Sequence, residues 1–468
     1  MKAGKLFIIY FLIGALAVGL TGGFMSTGVI EDDHDRNIEI PDETMDELQL
    51  KAAYNGEDIF WRFEWEADDG YYHDYLVYED GEWEQYGESP VGSDPHGVYE
   101  DRLTFLIDDG SVDHFSSSGG FMTVTEGMRY MTSMADADDA AEHVDRDWVR
   151  KFLPETREDP DDWRTMKDDD ELEDLVDAGY FLDFWHWRAH RSNPVGHAED
   201  THLLQDRVAD EGDMFDTNWD DENEQPEYMY DPDSAGMHAL EWDKVVDREY
   251  TQDDYYYLGP DNMTEFDPDH EWEDGDTLPR RPLEEPSGSR ADIFANGVWD
   301  DGKWHLDLER AMDTGNPDED KIFHEQGVYD IAFAVHKNAT GTRWHYVSFP
   351  MTFGFERGAD IDVHHFEGDT PPWDEIEWET VDLVYPGQIT WEHANDPENH
   401  AGAGAVQNEQ HMGSFHSEED FSYYGIESEF REEIMLQWGL TTAAVSVFVV
   451  LFSIGVIRTA RIERRDDE

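Results

Sequence analysis

Ala52–Glu66 reads AAYNGEDIFWRFEWE, and this stretch decides the fold class. Asn55-Gly56 is a two-residue hairpin signal, because both residues accept the positive φ of a tight β-turn. Beyond it Ile59, Trp61, Phe63 and Trp65 alternate with Phe60, Arg62 and Glu64. That period of two is the mark of a half-buried strand. The same reasoning predicts strands at Leu103–Ile107, Trp304–Leu308 (with Trp304, Leu306 and Leu308 inward), Val328–Val335 and Arg343–Phe349. A helix is predicted around Asp169–Ala178, and the acidic, turn-rich Asp210–Asp276 reads as a long surface insertion. Many short strands with few helices predict a mainly β protein. The expected architecture is a single large immunoglobulin-like β-sandwich with long acidic insertions, flanked by N- and C-terminal transmembrane helices. The sequence contains no internal repeat.

Charge sets the surroundings. Across 468 residues, 113 Asp and Glu stand against 32 Lys and Arg, for a formal charge of −81. Disorder would explain the acidity but not the 13% of aromatic residues. A folded aromatic core under an acidic skin explains both. At molar salt the Debye length falls to about 3 Å and the self-repulsion is screened, so the composition reads as that of an extreme halophile. Nucleic acid is excluded as a partner by the same charge. With no cysteine, the chain has no disulfides, no thiolate-held iron–sulfur cluster and no covalent c-type haem.

Both termini are apolar. Residues 1–30 read as a transmembrane anchor or signal segment behind Lys2 and Lys5, and 31–47 as an acidic stalk. The β domain is expected over 48–395 and a linker over 396–436. A charge-free transmembrane helix follows over 437–457. The basic tail 458–468, with Arg458, Arg461, Arg464 and Arg465, is then cytoplasmic by the positive-inside rule and the body extracytoplasmic.

Three clusters are candidate sites. In Phe181–Asp200, His186 lies between Trp185 and Trp187, with Arg188, His190 and Arg191 close by. It reads equally well as a ligand and as a hydrogen-bonded histidine among packed tryptophans. The methionines Met122, Met128, Met131 and Met134 follow the Gly119-Gly120 turn. Such residues fill gaps in cores more often than they bind metal, although a thioether is an axial haem ligand that raises reduction potential. In RWHYVSFP (Arg343–Pro350), His345 shares a strand face with Val347 and Phe349, as a core histidine or one aimed into an apolar cofactor pocket. The acidic loop Asp267–Asp276 lacks the ligand order of an EF-hand and reads as solvated.

Taken in order, LKAAYNGEDIFWRFEW, EDRLTFLID, the Gly-Gly-Phe-Met segment, DFWHWRAHRSNPVGHAED, LPRRPLEEPSGSRADIFANGVWDDGKWHLDLER, GVYDIAFAVH, RWHYVSFP and VYPGQITWE span about Leu48 to Glu392. Together they resemble the haem-binding γ subunit family of ethylbenzene dehydrogenase and related molybdoenzymes. The resemblance implies a sandwich holding one non-covalent haem b. It implies an electron-transfer role rather than a catalytic one, with a molybdenum-cofactor subunit and an iron–sulfur subunit as partners. Characterised relatives ligate the iron with a methionine and a lysine. The methionine carries over to Met122. His345 stands where the lysine is expected, with Lys337 and His186 as fallbacks. Trp185 and Trp187 would then flank the macrocycle, and Arg188 or Arg191 would pair with its propionates. The expected function is a membrane-anchored b-type cytochrome subunit serving a nitrate or dimethyl sulfoxide reductase-like enzyme, or docking beside a quinol-oxidising cytochrome. Two other functions fit the sequence. One is a cell-surface carbohydrate-binding sandwich. The other is a structural surface protein with acceptor sequons at Asn262 and Asn338.

Overall fold

The computed structural model describes residues 45–68, 70, 72–86, 100–123, 137–144, 151–160, 162–337, 345–384 and 431–466, together with residues 11 and 13. The rest of the N-terminal apolar segment, the stalk up to residue 44, Met128, Met131, Met134, Asn338 and Trp344 lie outside the described residues. The chain divides into two compact units. One is the body, Asn37–Tyr424; the other comprises Met1–Arg36 and Gly425–Glu468.

The predicted hairpin opens the body. Strands β1 (Met45–Tyr54) and β2 (Asp58–Glu66) pair with Tyr54 opposite Ile59. Between them Gly56 takes φ +96°, and the Asn55 carboxamide oxygen accepts from the Glu57 and Asp58 N–H groups. Eight further strands of the 13-stranded main sheet join them in a ring: β3 (Arg102–Asp108), β4 (Leu182–Arg188), β5 (His197–Leu203), β6 (Ile293–Asp300), β7 (Lys303–Ala311), β8 (Val328–His336), β9 (Met351–Phe355) and β10 (Ile361–His365), while Arg207–Ala209, Tyr346–Val347 and Glu379–Val384 pair onto it. Their order is β1–β2–β7–β6–β5–β4–β3–β8–β9–β10, and β10 pairs back to β1. Only the β9–β10 and β10–β1 pairs are parallel.

The sheet is therefore a closed ten-stranded barrel and not the expected immunoglobulin-like sandwich. A sandwich leaves strand edges to protect, whereas each barrel strand here has a neighbour on both sides. Alternation along a strand is the same in either architecture, so it could not tell them apart.

The inward residues fill the barrel. Trp61, Phe63, Phe105, Trp185, Phe333 and Phe353 meet at its middle, with Phe105 and Trp185 centroids 5.1 Å apart. Trp65, Trp187 and Trp304 close one end, where Trp187 and Trp304 lie 4.9 Å apart and edge-on. Gly297 of β6 is required there: a Cβ on it would come within 2.4 Å of the Trp187 ring. As predicted, Trp304, Leu306 and Leu308 face inward.

The other end holds a buried charge cluster. The Arg310 guanidinium donates to Asp183 (2.9 Å), Asp200 (3.1 Å) and Asp320 (3.4 Å) and to the Lys321 carbonyl (3.0 Å). Trp185 and Phe323 lie against it at 4.5 and 5.1 Å. Burial raises Asp183 to about 6 and Asp200 well above the carboxylate range, while Arg310 pulls both down. Burial also disfavours the Arg310 charge, but the three aspartates outweigh it and hold the guanidinium protonated. The three carboxylates approach within 4.8 Å of one another, and Arg310 is the cation among them.

The acidic insertion is folded rather than purely superficial. Tyr75–Glu79, Glu82–Tyr86, Asp276–Pro279 and Leu240–Glu241 form a four-stranded sheet, beside the pair Tyr228–Tyr230 and Met263–Glu265. Trp83, Phe266 and Trp272 pack together on it. The predicted helix is present at Asp169–Asp177, capped by the Asp168 carboxylate on the Glu171 N–H.

In the second unit the helix Arg431–Asp466 begins inside the stretch expected to be linker. Its Gly439–Arg458 segment, of mean hydropathy 2.4, is long and apolar enough to cross a membrane.

Candidate functional site

Paired residues on neighbouring strands point to the same face of a sheet. On β8, β3, β4 and β5 this rule lays out the outer surface of the barrel in rows. One row runs His336, Arg102, Arg188. The next runs Val347, Ala334, Thr104, His186, Glu199. A third runs Ala332, Leu106, Phe184, Thr201. The face thus grades from charged to apolar, and small residues occupy its middle.

Chain segments cover this face. Residues Gly119–Thr123 form a 3-10 turn over Leu106 and Ala332. Gly119, at φ +54°, is placed where a Cβ would meet Pro350 at 3.2 Å and Ala332 at 3.3 Å. Met122 is 1% exposed and belongs to an apolar cluster with Leu106, Phe121, Phe184, Ala332 and Phe349. The Phe152 N–H donates to the Thr123 carbonyl at 3.2 Å, which lays residue 151 alongside. Burial, aided by Arg207, lowers the Lys151 ammonium to about 8.

The charged side of the face holds a concentration of arginines found nowhere else among the described residues. Arg188 pairs with Glu199, which also takes both Nε (3.0 Å) and Nη2 (2.5 Å) of Arg290. Arg191 pairs with Glu100 at 2.5 Å, and Arg102 reaches the same carboxylate at 3.6 Å. Burial opposes the Glu100 charge, but Arg191, Arg102 and Arg188 hold it down at about 2. Glu199 is likewise at about 2, burial being outweighed by Arg188, Arg207 and Arg290. Arg188, Arg191 and Arg290 also lie over the Phe215 ring at 5.1, 5.4 and 4.8 Å.

His186 sits among these groups with its ring stacked on Phe184 at 5.5 Å. Burial, then Arg188, Arg207 and Arg102, drive its pKa well below the ordinary value, so the imidazole is neutral.

The structure therefore divides the predicted site residues. Met122, His186, Arg188 and Arg191 fall on or beside the covered outer face. His345 lies at its margin, its ring stacked on His336 at 4.6 Å, and shares the face of Val347 as expected. Trp185 and Trp187 point the other way, into the barrel, because neighbouring residues on a strand alternate. They cannot flank anything bound outside. Lys337 pairs with Asp46 and donates to the Glu66 carbonyl at 3.3 Å.

Sequence reasoning missed Lys151, Arg102, Arg207, Glu100 and Glu199. The signal for the cations was their scarcity: a chain with 32 basic residues gathers several of them here. Trp61, Trp185, Trp187 and Trp304 are fully buried and do not offer faces to sugars. Asn262 is also buried, its carboxamide bonded to the Gly259 N–H and the Tyr257 carbonyl, so it is no glycan acceptor in the fold.

A family model described as Ethylbenzene dehydrogenase matches residues 28–348, more than half of the chain. The match takes in β1–β8 together with Met122, His186, Arg188, Arg191 and His345. No curated protein matches the chain.

Proposed function

The chain belongs to the ethylbenzene dehydrogenase family, and we propose on that basis that it is an electron-relaying, non-catalytic subunit of a molybdoenzyme complex that holds one haem b. The observation that carries the proposal is the outer face of β3, β4 and β8. A buried thioether, Met122, sits in an apolar cluster that borders a buried group of guanidiniums in a chain of net charge −81. That donor set fits a haem: an apolar plate for the ring, cations for acidic edge groups, and a soft sulfur for iron.

Bound there, haem b would supply a one-electron carrier. The chain's own residues do the rest. Met122 would offer its sulfur to the iron. His345 is the proposed second ligand, with Lys151 the alternative nitrogen. Arg188 and Arg191 would meet the propionates. Gly119 lets the Met122 segment lie close to Ala332 and so keeps water from the apolar plate. With no cysteine the chain cannot hold an iron–sulfur cluster by thiolates, so iron–sulfur and molybdenum-cofactor subunits are the proposed partners. The Gly439–Arg458 helix is the proposed membrane anchor, with the body outside and the basic tail in the cytoplasm. The acidic composition is the proposed adaptation to molar salt.

A pyridine haemochrome assay on the purified full chain tests this reading. It predicts one haem b per chain and a Soret band that moves on reduction. A colourless chain that takes up no added haem would overturn it.

A further inference from the structure

Two guanidiniums converge on one ring nitrogen of His186. The Arg188 Nη2 lies 3.1 Å and the Arg207 Nη1 3.3 Å from its Nδ1. A guanidinium has no acceptor, so Nδ1 must carry the lone pair and the proton of the neutral ring must sit on Nε2. An N–H at Nε2 has no lone pair to offer iron. It is a donor, and among the described residues it is buried without an acceptor; so is the Nε of Arg188, whose side chain is 1% exposed. Buried donors without acceptors are rare in folded proteins and call for an explanation.

The charge around them points the same way. Arg102, Arg188, Arg191, Arg207 and Arg290 share Glu100, Glu199 and, beside Arg207, Asp206. Among the described residues arginines outnumber carboxylates here, in the interior of a strongly acidic protein. Next to it Phe184 and Leu106 offer an apolar plate.

We infer that His186 is not an iron ligand but a neutral N–H donor which, with Arg188, forms a buried carboxylate-binding site at the edge of the apolar plate. The chemistry it recognises is a carboxylate on a flat apolar body, held by charge-assisted hydrogen bonds. Two sources supply that chemistry, a haem propionate and a free organic acid. The first rests on the function proposed above, and the second does not.

The test compares haem b, its dimethyl ester and benzoate, a carboxylate on a flat apolar ring, on the full chain in detergent. Soret titration should show haem bound at least about tenfold tighter than the ester, a difference of about 1.4 kcal/mol. H186F should bring the two affinities within about threefold, and H186Q, which keeps an N–H donor, should retain most of the preference. Nitrogen NMR of labelled histidine should show the Nε2–H tautomer of His186 in the unloaded chain. Equal binding of haem and ester overturns the carboxylate site but leaves the haem reading standing. If neither porphyrin binds while benzoate raises the melting temperature of wild type and not of H186F, the haem reading falls and the site survives. A His186 protonated on Nδ1, or no response to any of the three ligands, overturns the site.

Discussion

Replacing Arg310 by methionine removes the cation that joins a cluster of three buried carboxylates. Arg310 is fully buried and holds Asp183, Asp200 and Asp320 between 2.9 and 3.4 Å. Deleting one partner of a buried ion pair costs about 3–5 kcal/mol. The Lys321 carbonyl also loses its donor at 3.0 Å, which adds about 1 kcal/mol.

The cost should depend on pH. Asp183 already sits at about 6 in the fold, against about 3.9 in an unfolded chain. A carboxyl raised in this way keeps its proton in the fold longer than in the unfolded state, so stability falls as pH rises through the folded value. Without Arg310 the folded cluster retains at least one further proton near neutrality. Each such proton steepens the loss by about 1.4 kcal/mol per pH unit. The penalty of Arg310→Met should therefore grow by about 3 kcal/mol between pH 6 and pH 8. Denaturant unfolding of the full chain, followed by tryptophan fluorescence at several pH values, measures it. A penalty that is the same at every pH, or below about 1 kcal/mol at pH 8, would refute the reasoning.

Three further outcomes are expected. Asp200 is raised well above the carboxylate range by burial and its acidic neighbours, so Asp200→Asn should change stability at pH 7 by less than about 1 kcal/mol in the same assay. Trp187→Ala should cost about 3–5 kcal/mol by opening the barrel core, yet leave haem stoichiometry unchanged in the folded fraction; loss of haem at full stability would place Trp187 at the site instead. Gly119→Ala meets both a positive φ and the Pro350 and Ala332 side chains, and should cost about 1–3 kcal/mol while weakening haem retention in a competition assay with apomyoglobin.

The strands were legible because alternation is a local property. Ile59, Trp61, Phe63 and Trp65 announce β2, and Asn55-Gly56 announces the turn before it. Barrel closure was not legible. It depends on β2 meeting β7, with Arg62 opposite Asp307, and on β1 meeting β10, with Ala52 opposite Val363. Pairings so distant in the chain leave no trace in periodicity.

The run Phe184–Arg188 shows the same limit at the site. Read as composition it is one aromatic and basic cluster, and its period of two sends Trp185 and Trp187 inward and His186 and Arg188 outward. Met122 was legible from the family resemblance as a ligand candidate, and the structure supplies its apolar surroundings. Lys151 and Arg207 could not be grouped with it, because the Phe152–Thr123 hydrogen bond, and the β4–β5 pairing that brings the Leu203–Arg207 hairpin beside His186, belong to tertiary structure.

The most direct test is the reduction potential of the haem-loaded full chain compared with that of Met122→Leu. A thioether ligand stabilises the reduced iron, so the leucine variant should keep its barrel, lose the spectrum of a sulfur-ligated haem and fall in potential. A variant that binds haem with unchanged potential and spectrum would contradict the assignment of this face as the haem site.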